Sequence, residues 1–312
     1  MNEDRTLESV GAPSNDEYTI LVALGNPDHV PQLLRTASDL AAAAGGSIHV
    51  VSVVAKDYDS PFGIFDDETI KAEFAADRRA VLDAAIDAGD QLDVSVTGEV
   101  VVDRSVSRGV IRTANDVDAG AILVGWTGPA WRPRAVLGSS VDAILERAPV
   151  DVYVERIGAT ADGVDRVLVP VAGGPHVDLA VTAGHAIAAA NDAELTILSV
   201  TARDESGEAT ALESATANES VEEAEAALPS HSDVAVESRI VANDDVVDAI
   251  VAVADDHDVI VMGAARGGHL RARLVGSIPR AVTDRTDRTI LLARRWTGVS
   301  RVVQWLGRFR RR

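Results

Sequence analysis

A chain of 312 residues exceeds one ordinary hydrophobic core, and a prior of roughly 150 residues per domain points to two domains. Cysteine is absent, which excludes disulfides, thiolate metal sites and thiol nucleophiles and leaves oxygen, nitrogen and backbone groups for any chemistry. The formal net charge of -20, with lysine only at Lys56 and Lys71, repels nucleic acid and suits solubility in concentrated salt, so a halophilic source is expected.

The chain begins with a polar stretch, residues 1–17, that has no signal-peptide core and is expected to be disordered; no later run approaches the ~20 apolar residues of a membrane span. A cytoplasmic protein is therefore expected. The run TILVAL from Thr19 is a buried strand, and Pro31 opens an alanine-rich helix that stops at Gly45 and Gly46. Next come the strand SIHVVSVV, a charged helix around Asp67 to Ala88, the strand DVSVTGEVVV and the helix SVSRGVIRTANDV. The strand AILVG, a long loop, the helix SSVDAILERA and the strand VDVYVER complete the set. Apolar strands alternating with helices imply parallel pairing with helices on both faces, a doubly wound α/β domain.

The set then recurs. ILVALGNPDHV from Ile20 is answered by VLVPVAGGPHV from Val167, with His29 and His176 in register, and AILVGWTGPAWRPRAVLGSSVDAIL from Ala121 by VIVMGAARGGHLRARLVGSIPRAV from Val259. The second copy is nine residues shorter in its middle. The boundaries read as a first domain over 18–157, a small polar linker over 158–164, a second domain over 165–294 and a tail over 295–312.

In an open parallel sheet, ligands sit beyond the carboxyl ends of the strands. Gly125 ends an apolar strand, Gly128 follows three residues on, and after nine more residues Gly138 precedes Ser139 and Ser140 at a helix start. Glycine lets a ligand approach bare backbone, and serines at a helix start offer N–H groups and hydroxyls to an anion, so the spacing describes a lasso around a phosphate chain. The second copy has Gly263, then Arg266 in place of the second glycine, then Gly276 and Ser277; the arginine either fills the phosphate space or supplies charge to it.

On these residues the sequence resembles the universal stress protein (UspA) family, whose signature is G-x-x-G, nine residues, then G-S or G-T. The stretches NPDHVPQLLRTASDLA, LVGW with VLGSSVD, and GGPHVDLA are similar to the paired stress-protein regions attached to certain archaeal amino-acid permeases. The resemblance implies two tandem Rossmann-like domains of the adenine nucleotide alpha hydrolase-like kind, each with a five-stranded mainly parallel sheet in the order 3-2-1-4-5. It also implies an intramolecular pseudo-dimer paired through the last strands. ATP or AMP is the implied ligand, more readily in the first domain than the second, with no metal beyond magnesium carried in on ATP. Nucleotide binders of the family carry an aspartate where the first strand ends; Gly25 and Ala172 stand there. The resemblance points to a non-enzymatic regulatory protein or sensor acting near a transporter. A soluble nucleotide-binding stress factor and an adenine-nucleotide hydrolase are the alternatives.

Trp126 and Trp131 form an aromatic platform for a base or pack against the rest of the protein, packing being the commoner use. His29 and His176 lie near a strand's carboxyl end, where a local hydrogen bond at a helix start is commoner than ligand contact. Asp255, Asp256, His257 and Asp258 resemble hard metal ligands but precede a strand, at the opposite end from the crevice, and read as a solvated turn. An ATP-hydrolysing P-loop needs a lysine beside a glycine loop, and neither lysine is near one. No catalytic residue is assigned.

From Arg294 onward there are seven arginines and no acid. On a helical wheel Trp296, Val299, Val302, Val303, Trp305, Leu306 and Phe309 share one half, while Arg301, Arg308, Arg311 and Arg312 share the other, with Arg310 as the exception. This basic amphipathic helix is expected to lie on the inner face of a membrane or against a membrane transporter, or else to dock on the acidic body.

Overall fold

The computed structural model describes residues 18–56, 65–127, 138–158, 161, 163–201, 211–264 and 276–298. It divides into two compact units, with the division at the start of β4, between Ala121 and Ile122.

In the first unit β1 (Thr19–Ala23) is followed by a 3-10 turn (Pro27–His29), α1 (Val30–Ala43), β2 (Ser47–Ala55), α2 (Asp67–Phe74), α3 (Ala76–Gly89), β3 (Val96–Asp103) and α4 (Val106–Asp116). The strands lie in the order β3-β2-β1 and pair in parallel, Ile20 beside Ile48 and Val50 beside Gly98. Ile20, Leu21 and Val22 are all fully buried, as expected of a strand covered on both faces. The single charged helix expected around Asp67 to Ala88 is two helices, because the backbone leaves helical geometry at Ala75 (φ -103, ψ 18). The break seats Ile70 and Ala75 against Val54 and Val102, a core contact that the charged helical pattern does not announce. Asp66 caps α2, accepting the Thr69 N–H at 2.8 Å.

The second unit contains β4 (Ala121–Trp126, from Ile122 on), α5 (Ser139–Arg147), β5 (Asp151–Arg156), β6 (Arg166–Val171), α6 (Val177–Ala190) and β7 (Glu194–Thr201). It continues with α7 (Ala211–Ala226), β8 (Val236–Ala242), α8 (Val246–Ala254), β9 (Val259–Gly263), α9 (Ser277–Arg285) and β10 (Thr289–Arg294). Its strands run β4-β5-β10-β9-β6-β7-β8. Within this series the second repeat shows the expected order, third, second, first, fourth, fifth, with parallel pairs at β7–β8, β6–β7, β6–β9 and β9–β10.

The unit boundary falls inside the first repeat because β5, its last strand, pairs antiparallel with β10, the last strand of the second. Val154 lies opposite Leu292, its own counterpart in the other copy, so the two strands are related by a local two-fold at that pair. Two arginines reinforce the seam. Arg156, ending β5, donates to the carbonyls of Thr283, Thr286 and Arg288 at 2.6–2.7 Å. Arg294, ending β10, reaches back to the carbonyls of Ala148 and Val150 at 3.1 and 3.3 Å. Both copies thus end on an arginine that satisfies carbonyls where the other copy's last helix gives way to its last strand.

Among the described residues no helix is long and apolar enough to cross a membrane.

Candidate functional site

The exit from β6 builds the site. Val171 ends the strand, and the chain turns through Gly173 (φ 69) and Gly174 (φ 109), backbone conformations that L side chains rarely adopt. That turn delivers His176 as the residue capping α6. Beside it, at the carboxyl ends of β6, β7 and β9, opens a cavity of about 310 Å³. Its walls are apolar, formed by Leu198 and Val200 of β7, Val246 and Ile250 of α8 and Met262 of β9; its rim is Ala172, Gly173, Gly263 and Ser277. The volume is at the lower end of the range of about 300–1,000 Å³ for small-molecule sites.

Gly263 has a packing reason to be glycine. A Cβ there would lie 3.1 Å from the His176 Cβ and 3.3 Å from its carbonyl oxygen, so a larger residue would drive the end of β9 away from the His176 turn. Gly276 caps α9 without a side-chain hydrogen bond, and Ser277, its first residue, is exposed at the cavity mouth. Among the described residues lining the cavity, His176 is the one titratable side chain. Its Nδ1 accepts the Arg295 backbone N–H at 3.1 Å, a long-range contact that joins the α6 start to the end of β10.

Arg295 itself is held by Asp178 and lies 3.5 Å from Asp151, while the Trp296 N–H donates to Asp151 at 2.8 Å. Burial works against the Arg295 charge, but the two carboxylates outweigh it and hold the guanidinium's pKa above its usual value. Residues 295–298 are therefore an irregular segment fastened to the body; the expected helix does not begin at 295. Residues 299–312 lie outside the described residues, as do 1–17.

The first repeat differs at the corresponding place. Arg78 of α3 donates from Nη1 to the Gly25 carbonyl at 2.5 Å and would stand 3.2 Å from a Cβ on Gly25, so a guanidinium covers the end of β1. His29 makes a local contact, its Nε2 3.4 Å from Asn26 Nδ2. Gly125 lies inside β4, which runs on through Trp126; that indole is buried and belongs to the strand's packing. Gly138 holds φ 108 at the head of α5, with Ser139 exposed and Ser140 half-buried in its first turn. Gly128, Trp131 and Arg266 lie outside the described residues.

The acidic turn before β9 is only partly solvated. His257 is 2% exposed, its Nδ1 on the Val253 carbonyl at 2.7 Å and its Nε2 on the Thr196 hydroxyl at 2.9 Å. Burial pushes its pKa below the usual value, the first of the influences acting on it. Asp258 accepts the N–H groups of Asp165 and Arg166 at 2.8 and 3.0 Å, tying the entry of β6 to this turn. The turn is a structural staple.

Sequence reasoning missed Arg78 and the apolar walls. It also missed the paired arginines 156 and 294, although their recurrence at the end of both last strands was a legible signal.

The family model for the universal stress protein family matches residues 18–156 and 163–294. A universal stress protein of Archaeoglobus fulgidus DSM 4304 is 20% identical at a TM-score of 0.58, over 89% of this chain and 96% of its own. The cytoplasmic domain of a prokaryotic cation chloride cotransporter has the same fold at 10% identity and a TM-score of 0.55, over 89% of this chain and 95% of its own. The Na(+)/H(+) antiporter NhaS5 of Synechocystis sp. is 26% identical over 160 residues, which are 51% of this chain and 22% of the antiporter. The chain thus matches only a minor part of that relative's length.

Proposed function

Because the chain belongs to the universal stress protein family, we propose that it is a non-enzymatic regulatory protein that takes an adenine nucleotide, ATP or AMP, in the crevice of its second repeat and acts beside a membrane transporter. The observation that carries this reading is the 310 Å³ cavity at the carboxyl ends of β6, β7 and β9, set against the guanidinium that covers the same strand end in the first repeat. The first repeat's loop residues, Gly125, Gly128, Gly138, Ser139 and Ser140, then count as an inherited lasso, and the second repeat is the one in use.

The chemistry of the lining fits such a ligand. An adenine ring suits the apolar slot between Val200, Ile250 and Met262, and phosphate suits the bare backbone of Gly173 and Gly263 and the start of α9, where the N–H groups of Ser277 and Ile278 and the helix dipole favour an anion. The segment joining Ala264 to Gly276 carries Arg266, Arg271 and Arg273 and no acid, so its charge is of the sign a phosphate needs. Any magnesium arrives on the nucleotide. Among the described residues lining the cavity, the one titratable side chain, His176, has its Nδ1 engaged by the Arg295 N–H, which fits a binding role. On this reading the two repeats form an intramolecular pseudo-dimer through β5 and β10.

Action beside a transporter is supported by the antiporter relative and the basic tail. A soluble stress factor without a membrane role is the second reading, favoured by the docking of Arg294, Arg295 and Trp296 on the body.

Calorimetric titration of the full chain with ATP and with AMP tests the nucleotide site. Ala172→Trp is the variant of choice, since Ala172 is exposed at the rim and an indole there enters the crevice without entering the core. Saturable binding at one site, weakened about tenfold or more by the substitution, a loss of about 1.4 kcal/mol, is expected. Titrations that show no heat for either nucleotide, or binding indifferent to the substitution, contradict the proposal.

A further inference from the structure

The outer strand of the second unit carries a surface that none of the preceding chemistry uses. β8 has sequence VESRIVA and ends the strand series, and among the described residues no strand pairs on its outer side. Its first five residues are all exposed, including Val236 at 39% and Ile240 at 42%. Natural edge strands are commonly blunted by proline, a bulge or charged side chains, and charge blocks pairing where it would set like against like. Residues 236–240 have no proline and carry one acid and one base.

Backbone phase settles which groups are offered. Leu195 donates to the Ala235 carbonyl at 2.9 Å, and the Asn243 N–H donates to the Thr201 carbonyl at 2.8 Å, so odd-numbered residues of this strand turn their backbone groups toward β7. Alternation along the ladder directs the N–H and C=O groups of Val236, Ser238 and Ile240 outward. These three also share one face, with the Ser238 hydroxyl on Glu225 of α7 at 2.6 Å.

We infer that β8 is a homodimer interface, pairing antiparallel with β8 of a second copy about a two-fold axis at Ser238. In that register each of residues 236–240 finds its complement. Ser238 meets Ser238 of the other copy as a hydrogen-bonded pair, and Val236 meets Ile240, also hydrogen-bonded, with their apolar side chains side by side on the α7 face. Glu237 meets Arg239 at the closely spaced non-hydrogen-bonded positions on the opposite face, twice by symmetry. Within one chain Arg239 already holds Glu237 at 2.7 and 2.8 Å, so both charges are exposed and aligned at the edge before a partner arrives. The corresponding strand of the first repeat, β3, lacks this pattern: its residues 96–100 are half-buried, and the strand has no basic residue to meet Glu99.

Sedimentation velocity of the full chain over about a hundredfold range of concentration tests the interface. A concentration-dependent dimer is expected. Arg239→Glu, which sets acids opposite one another, is expected to weaken dimerisation at least tenfold. Glu237→Arg combined with Arg239→Glu restores opposite charges in the same register and is expected to restore the dimer. Ser238→Pro deletes an outward N–H that β7 does not use and is expected to yield monomer with unchanged circular dichroism. A monomer throughout the concentration range overturns the inference, as does a dimer unaffected by Arg239→Glu or a charge-swapped double variant that stays monomeric.

Discussion

His257 shows how a single residue can be read correctly for position and wrongly for role. Its acidic neighbours suggest a solvated turn, but the ring is buried between the Val253 carbonyl and the Thr196 hydroxyl, with both nitrogens engaged. Its folded pKa lies below the ordinary value of 6.5, because burial disfavours the imidazolium. The unfolded chain therefore binds the proton more readily, and the stability that the neutral ring contributes is present above pH about 6.5 and lost as pH falls below it. Thermal melts of the full chain between pH about 7.5 and 5 should show a falling midpoint, and His257→Gln should flatten that slope. Equal slopes for the two proteins would assign the pH dependence elsewhere.

At the scale of elements, the seam between β5 and β10 depends on its two terminal arginines. Arg156 satisfies three carbonyls, and Arg156→Ala leaves them to water in a half-buried site, at a cost of about 2 kcal/mol; Arg294→Ala, removing two longer bonds, should cost about 1 kcal/mol. Urea unfolding midpoints measure both, and Arg156→Lys should recover only part of the loss because an ammonium lacks the planar fork. Strand and helix order was legible because buried strands such as TILVA and LLAR and the alanine-rich helices carry strong hydrophobic periodicity. The break at Ala75 was not, since what divides α2 from α3 is a tertiary contact of Ile70 and Ala75 with Val54 and Val102. Of the residues singled out in the sequence, Gly263 and Ser277 line the crevice, one against the His176 turn and one at a helix start. Its walls were not legible, because Val200, Ile250 and Met262 are ordinary core-forming residues until the fold brings them together. Arg78 over Gly25 lies 53 residues away along the chain, and no local pattern links the two.

For the whole molecule, the first residues of the basic tail belong to the body, since Arg295 holds Asp151 of β5, Asp178 of α6 and the His176 turn, and the Trp296 N–H donates to Asp151. A truncation that asks about membranes must therefore keep them. The chain ending at Gly298 should retain its melting temperature and lose flotation with anionic liposomes, and the full chain's flotation should weaken toward 1 M salt, where the Debye length is about 3 Å. Equal flotation of the two chains would remove the membrane role and leave the soluble reading. The nucleotide proposal stands apart from that outcome, because it depends on the space beside β6 alone. Hydrogen exchange of the full chain with and without saturating ATP addresses that space most directly. Slowed exchange is expected across residues 171–177 and at the start of α9, with residues 25–30 unchanged; protection confined to the first repeat, or none in either, would contradict nucleotide binding at the second.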